Sequence, residues 1–169
     1  MDVIKLFVEE LEREVGRSRR ALEQVPEGKR DWKPHDKSMP FGYLADMVAT
    51  IPTWITMIVK QDSLDIAPKD GSSHRPPPFA TPAEFVAALD KAAADAKAAL
   101  EGTTESHLGT NWKLLAGGNV ALDLPRHEMI RDTINHWAHH RGQMTVYLRL
   151  LGAKVPAIYG PSADDRSFS

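Results

Sequence analysis

Between Pro125 and Gly152 the chain runs RHEMIRDTINHWAHHRGQMTVYLRLL without a proline. Ile130, Ile134, Trp137, Met144 and Leu148 recur along it at helical spacing, so it reads as one long helix over about 126–151, closed by Gly152. A helix of that length has an apolar arc to bury, and it needs other helices to bury it against.

Three further helical patterns supply them. Over 3–25, Ile4, Phe7, Val8, Leu11, Val15, Leu22 and Val25 keep near-helical spacing until Pro26, Glu27 and Gly28 stop the run. After the polar connector GKRDWKPHDKSMP, a second helix is predicted from near Pro40, with Ser38 as its cap. Phe41, Leu44, Met47, Val48, Ile51, Ile55 and Ile58 form its stripe, and Pro52 inside that stripe predicts a kink. Residues 66–82 read as a proline- and glycine-rich surface loop. Thr81, Pro82 and Glu84 then give a capping threonine, a first-turn proline and a capping-box glutamate. Phe85, Leu89, Ala92, Ala93, Ala96 and Leu100 follow as a buried face, up to Gly102. WKLLAGGNVALDL, residues 112–124, is hairpin-like, with its turn at Gly117 and Gly118. The expected fold is all-α: a four-helix bundle with a small hairpin-like insertion before the last long helix, one domain over 1–169. The tail KVPAIYGPSADDRSFS reads as irregular.

Composition narrows the function. A chain of 169 residues, 42% apolar and 26% charged, is ordinary globular protein. A net charge of −2 and the absence of a basic stripe argue against nucleic acid as a partner. Without cysteine there are no disulfides, thiolate ligands or cysteine nucleophile, which fits a reducing compartment. The N-terminus lacks the apolar run of a signal peptide, and no segment approaches 18 consecutive apolar residues, so a cytoplasmic protein without membrane contact is expected.

HWAHHRGQ, residues 136–143, holds three of the chain's seven histidines. His136 and His140 stack one turn apart, with Gln143 and Tyr147 continuing the line and Trp137 on the adjacent apolar arc. These residues, together with Met47, are the pocket candidates. Two imidazoles at i, i+4 can hold one divalent ion, as in the helical zinc-protease motif, but that motif's glutamate is missing here. Two neutral imidazoles can equally satisfy each other as a polar seam. His139, Val146 and Leu150 form a second, semi-apolar strip on the back of the helix and are candidates for a two-fold dimer contact.

NHWAHHRGQMTVYLRLLGAKVPAIYGPSADD resembles the C-terminal signature of the DinB/YfiT-like superfamily, and DWKPHDKSMPFGYLADMVATIPTW and WKLLAGGNVALDLPR extend the likeness over most of the chain. The resemblance implies an up-down-down-up four-helix bundle, often a homodimer. It also implies nickel or zinc held by three histidines, and relatives that act as thiol-dependent transferases or isomerases. Two of the metal ligands map onto His136 and His140. The third belongs to a second-helix segment resembling LAxHVA; here that segment is Leu44 to Ala49, with Met47 in the histidine position and Asp46 beside it. A thioether is a poor ligand for zinc or nickel beside nitrogen donors and suits copper(I) better. His35, His74, His107 and His127 could complete a site only from outside the motif.

Two classes of function follow. One is a divalent-metal-dependent, thiol-linked transferase or hydrolase with a low-molecular-weight thiol cofactor and a degenerate third ligand at Met47. The other is a metal-free dimeric bundle that binds a small molecule or serves as an interaction module.

Overall fold

The computed structural model describes residues 2–72 and 76–167, so His74 lies outside the described residues. The chain is mostly helical, in the order α1 (Val3–Leu22), α2 (Phe41–Thr50), α3 (Pro52–Lys60), β1 (Ser63–Asp65), α4 (Pro82–Glu101), α5 (Glu105–Leu108), β2 (Asn111–Ala116), β3 (Asn119–Pro125) and α6 (Arg126–Leu150). α1 packs on α4 and α6, and the α2–α3 pair packs on the same two helices from the opposite corner. Phe7, Leu11, Leu44, Val48, Ile55, Ile58, Phe85, Leu89, Ile130, Trp137, Met144 and Leu148 meet in one core.

α1 begins where Asp2 accepts a hydrogen bond from the Lys5 amide. It ends three residues short of the expected 25, because Gln24 and Val25 donate to Ala21 and Leu22 in tight turns ahead of Pro26. Ser38 does not cap α2. The connector does so with its backbone: the Trp32 carbonyl accepts from Phe41 N and the Arg30 carbonyl from Gly42 N, both at 2.9 Å. That approach requires glycine, since a Cβ at position 42 would sit 2.8 Å from Arg30 Cβ.

Pro52 divides the expected second helix into α2 and α3, bent by 47°. Proline has no N–H, so the Val48 carbonyl one turn earlier loses its helical donor. Trp137 Nε1, from α6, donates to that oxygen at 2.7 Å. The kink and the tryptophan are a matched pair across the core.

The capping box at Thr81 and Glu84 forms as the motif predicts. The all-α expectation needs correction, because the segment before α6 is part of a three-stranded sheet in the order β1-β2-β3. β2 and β3 make the expected hairpin, with Gly117 and Gly118 both at positive φ. β1 joins β2 in parallel, and its Asp65 carboxylate accepts from the Gly117 and Gly118 amides at 3.0 and 2.7 Å. At the start of α6 the buried Arg126 donates to Ile58 O, Gln61 O and Asp62, tying the open end of α3 to the sheet.

The tail is tied down rather than loose. Asp164 accepts from Arg149 and from Val155 N, and Ala157 is buried with its carbonyl bonded to Arg20. Among the described residues no single helix is long and apolar enough to cross a membrane. The bent α2–α3 pair is apolar enough taken together, but its core stripe is buried inside the bundle.

Candidate functional site

The bend at Pro52 opens a cleft of about 330 Å³ between α2–α3, α6 and the proline strap before Phe79. Tyr43, Met47, Thr50, Trp54 and Met57 line it from α2–α3, Pro76 and Pro77 from the strap, and His136 from α6. These five helix positions follow i, i+4, i+7, i+11 and i+14, a face one residue displaced from the buried stripe 44, 48, 51, 55, 58. A larger cleft of about 650 Å³ lies across the strap against α4, shares Thr50, Thr53 and Pro77, and has no histidine among the described residues of its wall. The smaller cleft is the one whose described wall holds a histidine.

His136 and Met47 therefore share one cavity, with α6 and α2 on facing sides. His140 is buried beneath His136, and the two rings lie 4.4 Å apart between centroids. His140 Nδ1 faces Gln143 Oε1 at 2.8 Å. An amide oxygen only accepts, so that assignment puts the proton on Nδ1 and leaves His140 Nε2 as a lone pair. His136 Nε2–H then donates to it at 2.6 Å. Both imidazoles are held below the ordinary value of 6.5, chiefly by desolvation of the rings. The charges of His140 and His139 add to this for His136; for His140 the Gln143 bond opposes it and His139 adds to it. His136 is exposed as a residue, and its Nε2 is turned onto His140. Near pH 7 the pair is neutral.

Of the other pocket candidates, Gln143 orients His140 from an exposed position. Tyr147 is half-buried under Trp32, edge-on at 5.5 Å, and beside Phe41 at 6.2 Å. Trp137 is fully buried and committed to Val48, so it belongs to the core rather than to the pocket. His139, Val146 and Leu150 all lie exposed on the back of α6.

A three-nitrogen zinc or nickel site does not fit these residues. Two imidazole nitrogens on one tetrahedral ion stand about 3.3 Å apart, whereas here they stand at hydrogen-bond distance. The third position offers a thioether. Asp46 cannot replace it: Arg30 takes both its oxygens at 3.0 and 2.6 Å, and Phe79 N donates to Oδ1 at 3.1 Å. Arg30, half-buried, also donates to Phe79 O, so its pair with the buried Asp46 anchors the strap. His35, His107 and His127 are bonded elsewhere, to Lys37 N, Val59 O and Leu108 O. Among the described residues no group of three His, Cys, Asp or Glu converges.

The arginine of the HHRGQ motif turns the other way. Arg141 is 1% exposed and pairs at 2.5 Å with Glu14, equally buried on α1. It also donates to Ser18 Oγ at 3.0 Å and to the Tyr159 hydroxyl at 2.6 Å, and that hydroxyl donates to Glu14 at 3.1 Å. The tail's YGPSADD stretch is thereby latched onto α1 and α6. Burial pushes the Glu14 carboxyl up, but the charge and hydrogen bond of Arg141, with bonds from Arg17 and Tyr159, carry it below its ordinary range.

The DinB family model matches residues 1–167. The chain belongs to the DinB family. A 46-residue stretch is 41% identical to the uncharacterised protein YrdA of Bacillus subtilis strain 168, covering 27% of this chain and 28% of that protein's length. In fold the chain is similar to a DinB-like protein from Bacillus cereus ATCC 10987, with a TM-score of 0.68 and 21% identity over 90% of this chain and 95% of that one. A DinB-like protein from Bacillus subtilis gives a TM-score of 0.66 and 16% identity over 95% and 99%. At those identities the likeness is one of fold.

Proposed function

We propose that this DinB-family chain is a small-molecule-binding bundle whose cleft works without a zinc or nickel ion. The observation that carries the reading is Met47 in one cavity with His136, with no third nitrogen or free carboxylate in reach among the described residues. The wall is apolar and aromatic, and the neutral His136–His140 pair supplies the polar anchor, the usual make-up of a small-ligand site. An up-down-down-up winding fits the corner arrangement of α1, α2–α3, α4 and α6. The exposed strip of His139, Val146 and Leu150 is where a two-fold partner would pack.

A second reading, a divalent-metal-dependent, thiol-linked transferase or hydrolase, has one observation in its favour: the two Nε2 atoms converge beside the cleft that His136 lines. An apolar fluorescent dye, anilinonaphthalene sulfonate, tests the first reading. The native protein should bind it at one site, and Trp54→Ala should weaken that binding without lowering the melting temperature by more than a few degrees. Equal dye binding by both proteins rules out the cleft as the ligand site.

A further inference from the structure

The larger cleft, of about 650 Å³, has a wall that accepts hydrogen bonds and offers few. Thr50 and Thr53 line it, and both hydroxyl hydrogens are committed to the backbone. Thr50 Oγ1 donates to Asp46 O at 2.8 Å, and Thr53 Oγ1 donates to Thr50 O at 2.7 Å. Each oxygen keeps a lone pair and has no hydrogen left to give. On the strap, Pro77 and Pro78 have no N–H, and the Phe79 N–H is taken by Asp46. We propose that this cleft, between the strap and α4, is a second binding site, which takes a flat aromatic molecule carrying a hydrogen-bond donor and no negative charge.

Shape, rigidity and charge each support that class. Ala87, Ala88 and Ala92 give the α4 side nothing beyond Cβ, and the strap side carries the rings of Pro77, Pro78 and Phe79. A slot between small side chains and ring faces suits a planar ring system. The slot is also fixed in advance. Phe79 donates from its N–H to Asp46 at 3.1 Å, accepts at its carbonyl from Arg30, and holds its ring edge-on to Phe85 at 5.7 Å. The capping box of Thr81 and Glu84 sets the start of α4 on the other side, so little ordering is left for a ligand to impose. Finally, two carboxylates, Glu84 and Asp95, stand in the wall against one ammonium, Lys91, which is paired with Asp95 at 2.7 Å. The Ala80 and Thr81 amides hold Glu84 below its ordinary value, and the Lys91 bond does the same for Asp95, so both are ionised and disfavour an anion.

This site does not depend on the smaller cleft. The two share Thr50, Thr53 and Pro77, but Ala88 lines the larger and Trp54 the smaller, so each can be altered by itself. Ala88 is half-buried on α4, and leucine there keeps a strong helix former while projecting a branched side chain into the slot.

The test is equilibrium dialysis of the full chain against three probes with one ring system: 2-naphthol, 2-methoxynaphthalene and 2-naphthoate. Native protein should bind 2-naphthol at least about threefold more tightly than the methyl ether, which cannot donate, and at least about threefold more tightly than the anion. Ala88→Leu should weaken 2-naphthol by at least about tenfold, whereas Trp54→Ala should leave it within about threefold. A protein carrying both Thr50→Val and Thr53→Val, with the wall's shape kept and its lone pairs gone, should bind 2-naphthol and its methyl ether alike. A native protein that binds none of the probes, or all three equally, overturns the proposal. So does an Ala88→Leu protein that binds as native does, a Trp54→Ala protein that loses as much as Ala88→Leu, or a double valine protein that keeps the preference. The dye test of the smaller cleft turns on Trp54 and this one on Ala88, so either site can fail while the other stands.

Discussion

Trp137→Phe separates the two halves of the matched pair at the helix bend. The substitution keeps an aromatic ring in the core but removes the Nε1–H that reaches Val48 O at 2.7 Å. Pro52 cannot replace that donor, so a buried carbonyl is left unsatisfied at a cost of about 1–3 kcal/mol. The smaller ring leaves a void worth about 1 kcal/mol more. The sum of about 2–4 kcal/mol lowers Tm by roughly 4–16 °C for a chain of this size. The informative experiment is a double-mutant cycle in urea. Pro52→Ala restores an N–H one turn after Val48, so in that background the hydrogen-bond part of the Trp137→Phe cost should shrink by about 1–2 kcal/mol while the void part remains. An equal cost in both backgrounds would refute the pairing of kink and tryptophan.

Other substitutions probe the remaining supports. Glu14→Gln strands the buried Arg141 charge and should cost about 3–5 kcal/mol by urea denaturation, whereas Tyr159→Phe should cost about 1 kcal/mol; equal costs would deny the ion pair its role. Glu14, held below its ordinary value of 4.5, binds its proton later than the unfolded chain does. Its stabilisation is complete above pH 4.5 and is lost as pH falls through the lowered value, so Tm should drop on that acid limb. A Tm unchanged down to pH 3 would contradict this. Gly42→Ala drives a Cβ to 2.8 Å from Arg30, and a loss of about 1–3 kcal/mol is expected; a neutral result would mean that the connector yields freely.

What could be read from the sequence depended on how local its cause was. The capping box at Thr81, the hairpin turn at Gly117 and Gly118, the stop at Gly152 and the break at Pro52 each rest on a few neighbouring residues, and each forms. The cap of α2 was out of reach because its partners are backbone carbonyls of a loop, and glycine at 42 signals the approach only once Arg30 is placed. β1 is three residues long and exists by pairing with a strand some fifty positions later. Trp137 looked like a pocket residue because its partner, a carbonyl freed on another helix, has no signature in its own segment. The partner of Arg141 had no local signature, because Glu14 lies 127 positions away. The cleft did leave a trace: 43, 47, 50, 54 and 57 share a helical face beside the core stripe, and that face is neither polar nor fully buried. His136 and His140 were legible from spacing and motif alone. Their mutual hydrogen bond was one of the readings the spacing left open, and its direction follows only once the Gln143 amide is placed beside His140.

A thermal melt of native and Met47→His protein, purified without a histidine tag, tests most directly whether this cleft lacks a zinc or nickel site. With excess zinc or nickel the native Tm should stay within about 1 °C of the metal-free value, because two hydrogen-bonded imidazoles give little preference for the folded state. Met47→His supplies the third nitrogen. At a metal concentration about 100 times Kd it should gain roughly 2.7 kcal/mol, or about 5–11 °C in Tm. A native protein already stabilised by that much, with the gain lost in His136→Ala, would contradict the account.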